Sequence, residues 1–246
     1  MNVKNLLSYT AQLASSKGVR FTIGSGLKRL FHLVYYIQFK SYKKTFVFRR
    51  RKYSYFHHFY NTTWYNERAV EIPIILDIVE GNLGKEILEV GNVLSHYINI
   101  AHDVIDKFES GVNVTNEDAA EFKTTKLYDL IISISTLEHV GWDEMPRDDT
   151  KILRVLDNLK SLLSENGIMI ITLPSGYNLT LDKLLRSKTI QFDDQYCLKR
   201  VSKSNEWAEV PCEELDNIRY GNPFPGANGL LVAIFKGVKH VKNGIP

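Results

Sequence analysis

Between residues 87 and 140, acidic residues stand at or near the ends of successive short apolar runs. The first run, Ile87 to Val90, carries Glu89 and leads to Gly91 and Asn92. The second reaches Asp106 and the third Asp118. The fourth leads to Ser135, Glu138 and His139, and a fifth opens into Ser175, Gly176, Tyr177 and Asn178. In an open α/β sheet, ligands bind outside the carboxyl ends of the strands, where the strand order reverses. Residues of these types at those ends suit an adenosine-bearing ligand. Gly91 lets backbone approach closely. Asp106 accepts from ribose hydroxyls with both oxygens, and Asp118 accepts from an exocyclic adenine amine. Glu89, Asn92 and Ser135 complete the strand-end set.

Glu67 and Arg68, just ahead of the first strand, offer a carboxylate for an ammonium and a guanidinium for a carboxylate. A helix-surface ion pair with Glu71 accounts for them equally well. For catalysis, His139 is placed as a general base, since imidazole titrates near neutral pH; the competing reading is a hydrogen bond that orients the next helix. Tyr177 and Asn178 line an acceptor site or merely form a turn. Asp143 and Glu144 offer a base or decorate a surface loop. His57 and His58 stand among Tyr53, Tyr55, Phe56, Phe59, Tyr60 and Trp64, rings that stack on sugar faces or pack a hairpin. No grouping has the spacing of a metal site.

Several elements must position these residues. From residue 85 onward, Val/Ile-rich runs alternate with helical stretches, the pattern of strands covered on both faces in a mostly parallel sheet. The last two runs, "YCLKRVS" and "GLLVAIFKG", have no long helix between them and predict an antiparallel pair at one edge. Upstream, "TFVFRRRKYSYFHH" alternates as a hairpin, and Thr62 or Thr63 caps a helix carrying Glu67, Ala69 and Val70, with Pro73 early in it or starting a second one. From Gly91 to Asp106 there is no room for a full helix and a second strand, so the first helix shrinks to one turn around "SHYINI".

The composition is that of a globular chain: 246 residues, 44% hydrophobic and 24% charged, with a net charge of +3. That charge is unevenly spread. Residues 1–66 carry twelve Lys or Arg and no acid, leaving nineteen of the 31 basic residues against all 28 acids in the remainder. The expected domains are therefore a basic, aromatic extension (1–66) and an α/β body (67–246). Within the extension, "LKRLFHLVYYIQFKSYKK" reads as a helix docking on the body or lying on anionic lipid, a peripheral membrane contact. It is too short and charged to span a bilayer. "RRRK" is too brief to indicate nucleic acid. Cys197 and Cys212 are too few for a disulfide framework and lack zinc spacing, which favours a reducing, cytoplasmic compartment.

With these residues in place, the chain from about Gly84 to Gly237 resembles the class I S-adenosylmethionine-dependent methyltransferases. The segments are "ILEVG", "VIDKFE", "NED", "YDLIISISTLEHVG" and "LKSLLSENGIMIITLP". More narrowly, "EVGNVLSHY", "NTTWYNERAVEIP", "STLEHVGWDE" and "PFPGANGL" are similar to a bacterial and archaeal group associated with surface-polysaccharide gene neighbourhoods. The resemblance implies a Rossmann-like, seven-stranded, mostly parallel sheet with S-adenosyl-L-methionine as cofactor. It further implies O-methylation of a small-molecule or glycan acceptor such as a sugar. The chain departs from the family's Glu/Asp-x-Gly-x-Gly-x-Gly loop: only Glu89 and Gly91 match, with Val93 and Ser95 at the other glycine positions. A module that binds without catalysing is the alternative; a nicotinamide oxidoreductase would need the missing glycines.

Overall fold

The computed structural model describes residues 44–111 and 113–237; the basic helix read in the first forty-odd residues lies outside them. Strands β1 (Thr45–Phe48) and β2 (Arg51–Ser54) form the expected hairpin. Its two-residue turn places Arg49 and Arg50 at φ of 49° and 63°, the positive values that match the twist of the flanking strands. Phe46 and Phe48 are buried. Phe48 meets Tyr196 edge-on at 5.7 Å, and Arg49 N donates to Glu209 Oε2 at 2.8 Å. The hairpin thus packs in the same compact unit as the sheet, and the boundary drawn at residue 66 falls inside that unit. The "RRRK" arginines serve the same docking: Arg51 pairs with Asp77, and the Arg49 guanidinium lies 4.5 Å over the Tyr196 ring.

Helix α1 (Arg68–Glu80) follows, with Pro73 inside it and no side-chain cap. The expected threonine cap is not formed. Thr63 Oγ1 instead donates to Phe56 O at 2.8 Å and accepts from His58 N at 2.7 Å. Pro73 lacks the N–H that would reach Ala69 O, and Phe56 N takes that carbonyl at 2.9 Å. One orphaned acceptor thereby ties the aromatic segment to the helix.

Eight strands make the main sheet: β3 (Ile87–Val90), β4 (Asp103–Ile105), β5 (Val114–Thr115), β6 (Tyr128–Ile134), β7 (Leu163–Pro174), β8 (Asp194–Arg200), β9 (Trp207–Val210) and β10 (Gly229–Lys236). Their order is β5-β4-β3-β6-β7-β10-β8-β9. The first five are mutually parallel, while β10 and β9 run antiparallel to their neighbours. This is a doubly wound, Rossmann-like α/β sheet whose order reverses between β3 and β6. Two expectations are corrected. The sheet has eight strands rather than seven, because Trp207–Val210 adds an edge. The antiparallel pair β8–β10 forms, but β10 inserts between β7 and β8 and β9 takes the edge.

The two faces are separate cores. Leu130, Ile132 and Ile134 pack with α1 and the hairpin. Leu88, Val90 and Ile131 pack under α2 (Lys151–Ser161), which buries Ile152, Val155, Leu156 and Leu159 along one stripe. Full burial of such side chains stabilises by about 1.5–3 kcal/mol each. A short helix α3 (Leu179–Arg186) follows β7. Cys197 on β8 and Cys212 form a disulfide with Cα atoms 5.1 Å apart. That corrects the reading of two separate thiols and removes the ground on which a reducing compartment was expected. No helix among the described residues is long and apolar enough to cross a membrane.

Candidate functional site

The chain leaves β3 at Gly91, whose φ is +89°. A Cβ there would lie 2.3 Å from Thr136 Oγ1, so no other residue fits between the ends of β3 and β6. The remaining family glycines are unnecessary, for a visible reason. Glu89 Oε1 accepts from Val93 N and Leu94 N at 2.9 and 2.8 Å, which anchors a single 3-10 turn at Leu94–His96. Val93 has φ of −98°, an ordinary value for a side-chain-bearing residue. The expected shortening of the first helix is therefore present. Glu89 itself is fully buried, and its Oε2 lies 2.8 Å from His102 Nε2. It holds the loop from beneath rather than facing a ligand, which corrects its assignment to cofactor binding.

Above the loop, Gly91, Asp106, Asp118 and His139 line one cavity of about 360 Å³, joined by Lys107, Phe108, Thr136, Asp143 and Glu144. Asp106 is partly engaged. Its Oδ2 accepts from Asn92 N at 2.9 Å, and its Oδ1 from Phe108 N and Glu109 N at 2.8 and 2.7 Å. A carboxylate oxygen accepts two hydrogen bonds, so Oδ2 retains one free position. Asn92 lies behind this wall. Its side chain donates to Glu109 Oε2 at 3.2 Å and accepts from Ser95 Oγ at 2.5 Å, so it braces the loop.

Asp118 forms ion pairs with Lys151 and with Lys107, the latter at 2.9 Å. Burial alone would raise its carboxyl; hydrogen bonds from Lys151, the Ala120 amide and Lys107 overcome that and hold it at about 2. Lys107 also reaches Glu144 Oε2 at 2.8 Å, bridging the end of β4 to the loop after β6. Five carboxylates line the cavity (Asp106, Glu117, Asp118, Asp143, Glu144) against Lys107 alone among lysines and arginines.

On the far wall, His139 Nδ1 lies 2.5 Å from Asp143 Oδ2, which also accepts from Tyr177 Oη at 2.6 Å. The His139 and Tyr177 rings meet edge-on at 4.8 Å, and Tyr177 meets Tyr220 likewise at 5.1 Å. Burial and the hydrogen bond to Asp143 push the Tyr177 phenol up, so it acts as a donor. Asn178 caps α3 through Leu181 N and donates to Glu138 O at 2.8 Å; its part is structural.

Glu67, Arg68 and Ser135 do not line this cavity. They belong to a buried cluster beneath Tyr220. Arg68 pairs with Glu71 at 2.9 Å and donates to Ile134 O at 2.9 Å. Glu71 Oε1 accepts from Thr172 Oγ1 at 2.6 Å and from Ser135 Oγ. Ser135 is held at φ of +37°, an unusual conformation kept by its surroundings. Glu67 and Glu138 complete the cluster, and each has an Oε2 that is buried without a hydrogen-bond partner. Burial, then the neighbouring Glu71, raises the Glu67 carboxyl; burial raises Glu138 well above the usual range. Gly226 lies against Glu67. Three segments singled out in the sequence, "NTTWYNERAVEIP", "STLEHVGWDE" and "PFPGANGL", thus converge here.

Lys107 and Phe108 escaped notice in the sequence, which marks Glu138 only as a strand-end residue with no role. An exposed aromatic directly after an acidic strand end was the available signal for Phe108. Nothing local marked Glu138 as buried beside Arg68. Among the described residues no group of three His, Cys, Asp or Glu could hold a metal.

No family model and no curated protein sequence matches this chain. Its fold is similar to solved methyltransferases. An S-adenosylmethionine-dependent methyltransferase from Archaeoglobus fulgidus is 17% identical, with 68% of this chain and 92% of that one covered and a TM-score of 0.43. The N-methyltransferase NodS from Bradyrhizobium japonicum WM9, in complex with S-adenosyl-L-homocysteine, is 13% identical, covering 66% and 84%, with a TM-score of 0.42. The 1,6-didemethyltoxoflavin-N1-methyltransferase of Burkholderia thailandensis is 14% identical, covering 67% and 76%, with a TM-score of 0.40. Likenesses this partial decide neither the activity nor the acceptor of this chain.

Proposed function

We propose that this chain is an S-adenosylmethionine-dependent methyltransferase acting on a hydroxyl of a sugar or glycan precursor. The observation that carries the cofactor is the charge of the cavity at the switch point: five carboxylates line it, offset by Lys107 in the lining and by Lys151 behind Asp118 and Glu144, so the balance stays negative. Such a cavity attracts a cationic sulfonium ligand and repels a dinucleotide pyrophosphate. Its volume falls within the range of small-molecule sites. Gly91 and Thr136 leave space only for backbone beside the ligand, and Asp106 Oδ2 has room for one ribose hydroxyl. Phe108, 78% exposed although it lines the cavity, offers a face on which adenine stacks.

S-adenosylmethionine supplies, when bound, a methyl group on a positively charged sulfur. The protein's task is to orient the acceptor in line and to receive its proton. His139, held by Asp143, stands at the cavity wall for that purpose. Tyr177 and Tyr220, between the cavity and the buried cluster, offer ring faces of the kind that stack on sugars. The sugar itself is supported by the resemblance of the three converging segments.

The test is a thermal-shift titration with S-adenosylmethionine, S-adenosylhomocysteine and NADH. Ligand at about a hundred times its dissociation constant stabilises by about 2.7 kcal/mol. Both adenosyl ligands are expected to raise the melting temperature and NADH to leave it unchanged. Phe108→Ala, which removes an exposed ring, should melt like the wild type without ligand and bind S-adenosylhomocysteine weaker by about 1–3 kcal/mol. A shift with NADH alone overturns the cofactor. A folded sample that responds to none of the three is instead the non-catalytic binding module.

A further inference from the structure

Glu138 is a strand-end carboxylate with one oxygen that no loop contact explains. It sits in the 3-10 turn Leu137–His139, is 2% exposed, and its Oε2 is without a partner. Leaving a buried acceptor unsatisfied costs about 1–3 kcal/mol, and such a group in a folded protein calls for an explanation. Arg68, the nearby cation, is committed elsewhere: it donates to Glu71 Oε2, Ile134 O and Ser135 O. The other Glu138 oxygen, Oε1, lies 3.6 Å from His139 Nε2. A small rotation brings that pair into hydrogen-bonding range, and sites of this kind are often loose without substrate. On its opposite side the ring meets Asp143 Oδ2 at 2.5 Å, and Asp143 is 45% exposed. Tyr177 Oη, on the same Asp143 oxygen, leaves the carboxylate no freedom to turn away.

We infer that Glu138, His139 and Asp143 form a proton path from the buried Glu138 carboxyl to solvent, with Glu138 as the inner base and His139 as the relay. The inference rests on the methyl-transfer reading and deepens it. The acceptor's heteroatom, a hydroxyl on that reading, donates its hydrogen bond to the unpartnered Glu138 Oε2. Its lone pair forms the new bond to the methyl carbon, and the electron pair of the breaking carbon–sulfur bond stays on sulfur. The heteroatom's proton passes to Glu138. It then moves from the carboxyl to His139 Nε2 while the Nδ1 proton leaves through Asp143; Glu138 is again a carboxylate, and His139, left as the Nε2–H tautomer, is reset by proton exchange with solvent at its half-exposed ring.

Burial raises the proton affinity of Glu138; in the resting chain the relay first carries its proton out to solvent, and the carboxylate so formed takes the acceptor's proton. The groups that set its ionisation are Arg68 and Glu71 on α1, Glu67 just before it, and Tyr177, Tyr220 and His139 on the loops. Arg68 pulls toward the charged form, while the two glutamates oppose it.

The test needs no acceptor. Difference infrared spectroscopy on the full chain is expected to show carboxylic-acid absorption that persists above the ordinary carboxylate range, a component of which is lost in Glu138→Gln, the remainder being lost in Glu67→Gln. Transfer to D₂O shifts this band as the proton exchanges. Blocking the relay in His139→Leu, or weakening it in Asp143→Asn, should slow that exchange by about tenfold or more. Asp143 is half-exposed, so its variant keeps the fold if His139→Leu does not. A band absent from the wild type, a band undiminished in Glu138→Gln, or exchange of the Glu138 component equally fast in the relay variants overturns the inference. Binding of S-adenosylhomocysteine, measured on the same samples, fails only if the cofactor reading fails.

Discussion

Gly91→Ala probes the point on which the cofactor loop turns. The added methyl would meet Thr136 Oγ1 at 2.3 Å, Cγ2 at 2.6 Å and Cβ at 2.9 Å. Overpacking of this degree costs about 1–3 kcal/mol. A further 1–2 kcal/mol or so comes from forcing an L side chain into the positive-φ region, given φ of +89°. The sum is about 2–5 kcal/mol by urea denaturation, and it has two separable parts. In a Thr136→Ala background the Oγ1 and Cγ2 clashes disappear, while the backbone strain and the 2.9 Å contact remain. Gly91→Ala should then cost only about 1–2 kcal/mol, leaving a coupling energy of about 1–3 kcal/mol in the double-mutant cycle. If alanine costs the same in both backgrounds, the close packing of β3 against the end of β6 is not what requires glycine. The argument for a tight cofactor turn without the other glycines then fails.

Glu89→Ala, which strips the Val93 and Leu94 amides and His102 of their shared acceptor, should destabilise by about 3–5 kcal/mol in the same denaturant assay. Asp118, held near 2 in the folded protein, contributes stability that is present above its unfolded value near 4 and lost as pH falls toward 2. Lys151→Met should therefore move the acid-unfolding midpoint, followed by circular dichroism, to higher pH. Glu138 behaves oppositely: its raised carboxyl favours the fold below the unfolded value, and that advantage fades as pH rises. Glu138→Gln should therefore match the wild type in stability near pH 4 and exceed it at pH 8, by roughly 1–3 kcal/mol. Equal stability at both pH values would mean that burial of the carboxyl carries no cost.

Much of the framework was legible because its causes are local. Runs such as Ile131–Ile132 and Val232–Ala233 carry no polar alternation, and that marks strands buried on both faces. The shortage of residues between Gly91 and Asp106 forced the first helix down to a single turn, whatever else the chain does. Acids at successive strand ends, read with the sheet's rule for ligand position, brought Gly91, Asp106, Asp118 and His139 to one cavity. None of these inferences required knowing which distant residue lies opposite.

What only the tertiary structure decided are partnerships across long separations. Glu89 has the residue type of a ligand group, but it turns inward to two amides and His102 and leaves the cavity to Asp106. Glu67 and Arg68 sit outside that cavity's lining, in a cluster behind the end of β6 that Glu138 and the Gly226 loop complete. Cys197 and Cys212 pair because β8 and the turn after β9 fold back on each other, and Trp207–Val210 becomes an edge strand only because β8 lies beside it. The physical reason is common to all of these. Periodicity and turn chemistry act within a few residues, whereas a buried polar side chain takes its function from whichever donor, acceptor or charge the completed fold sets against it.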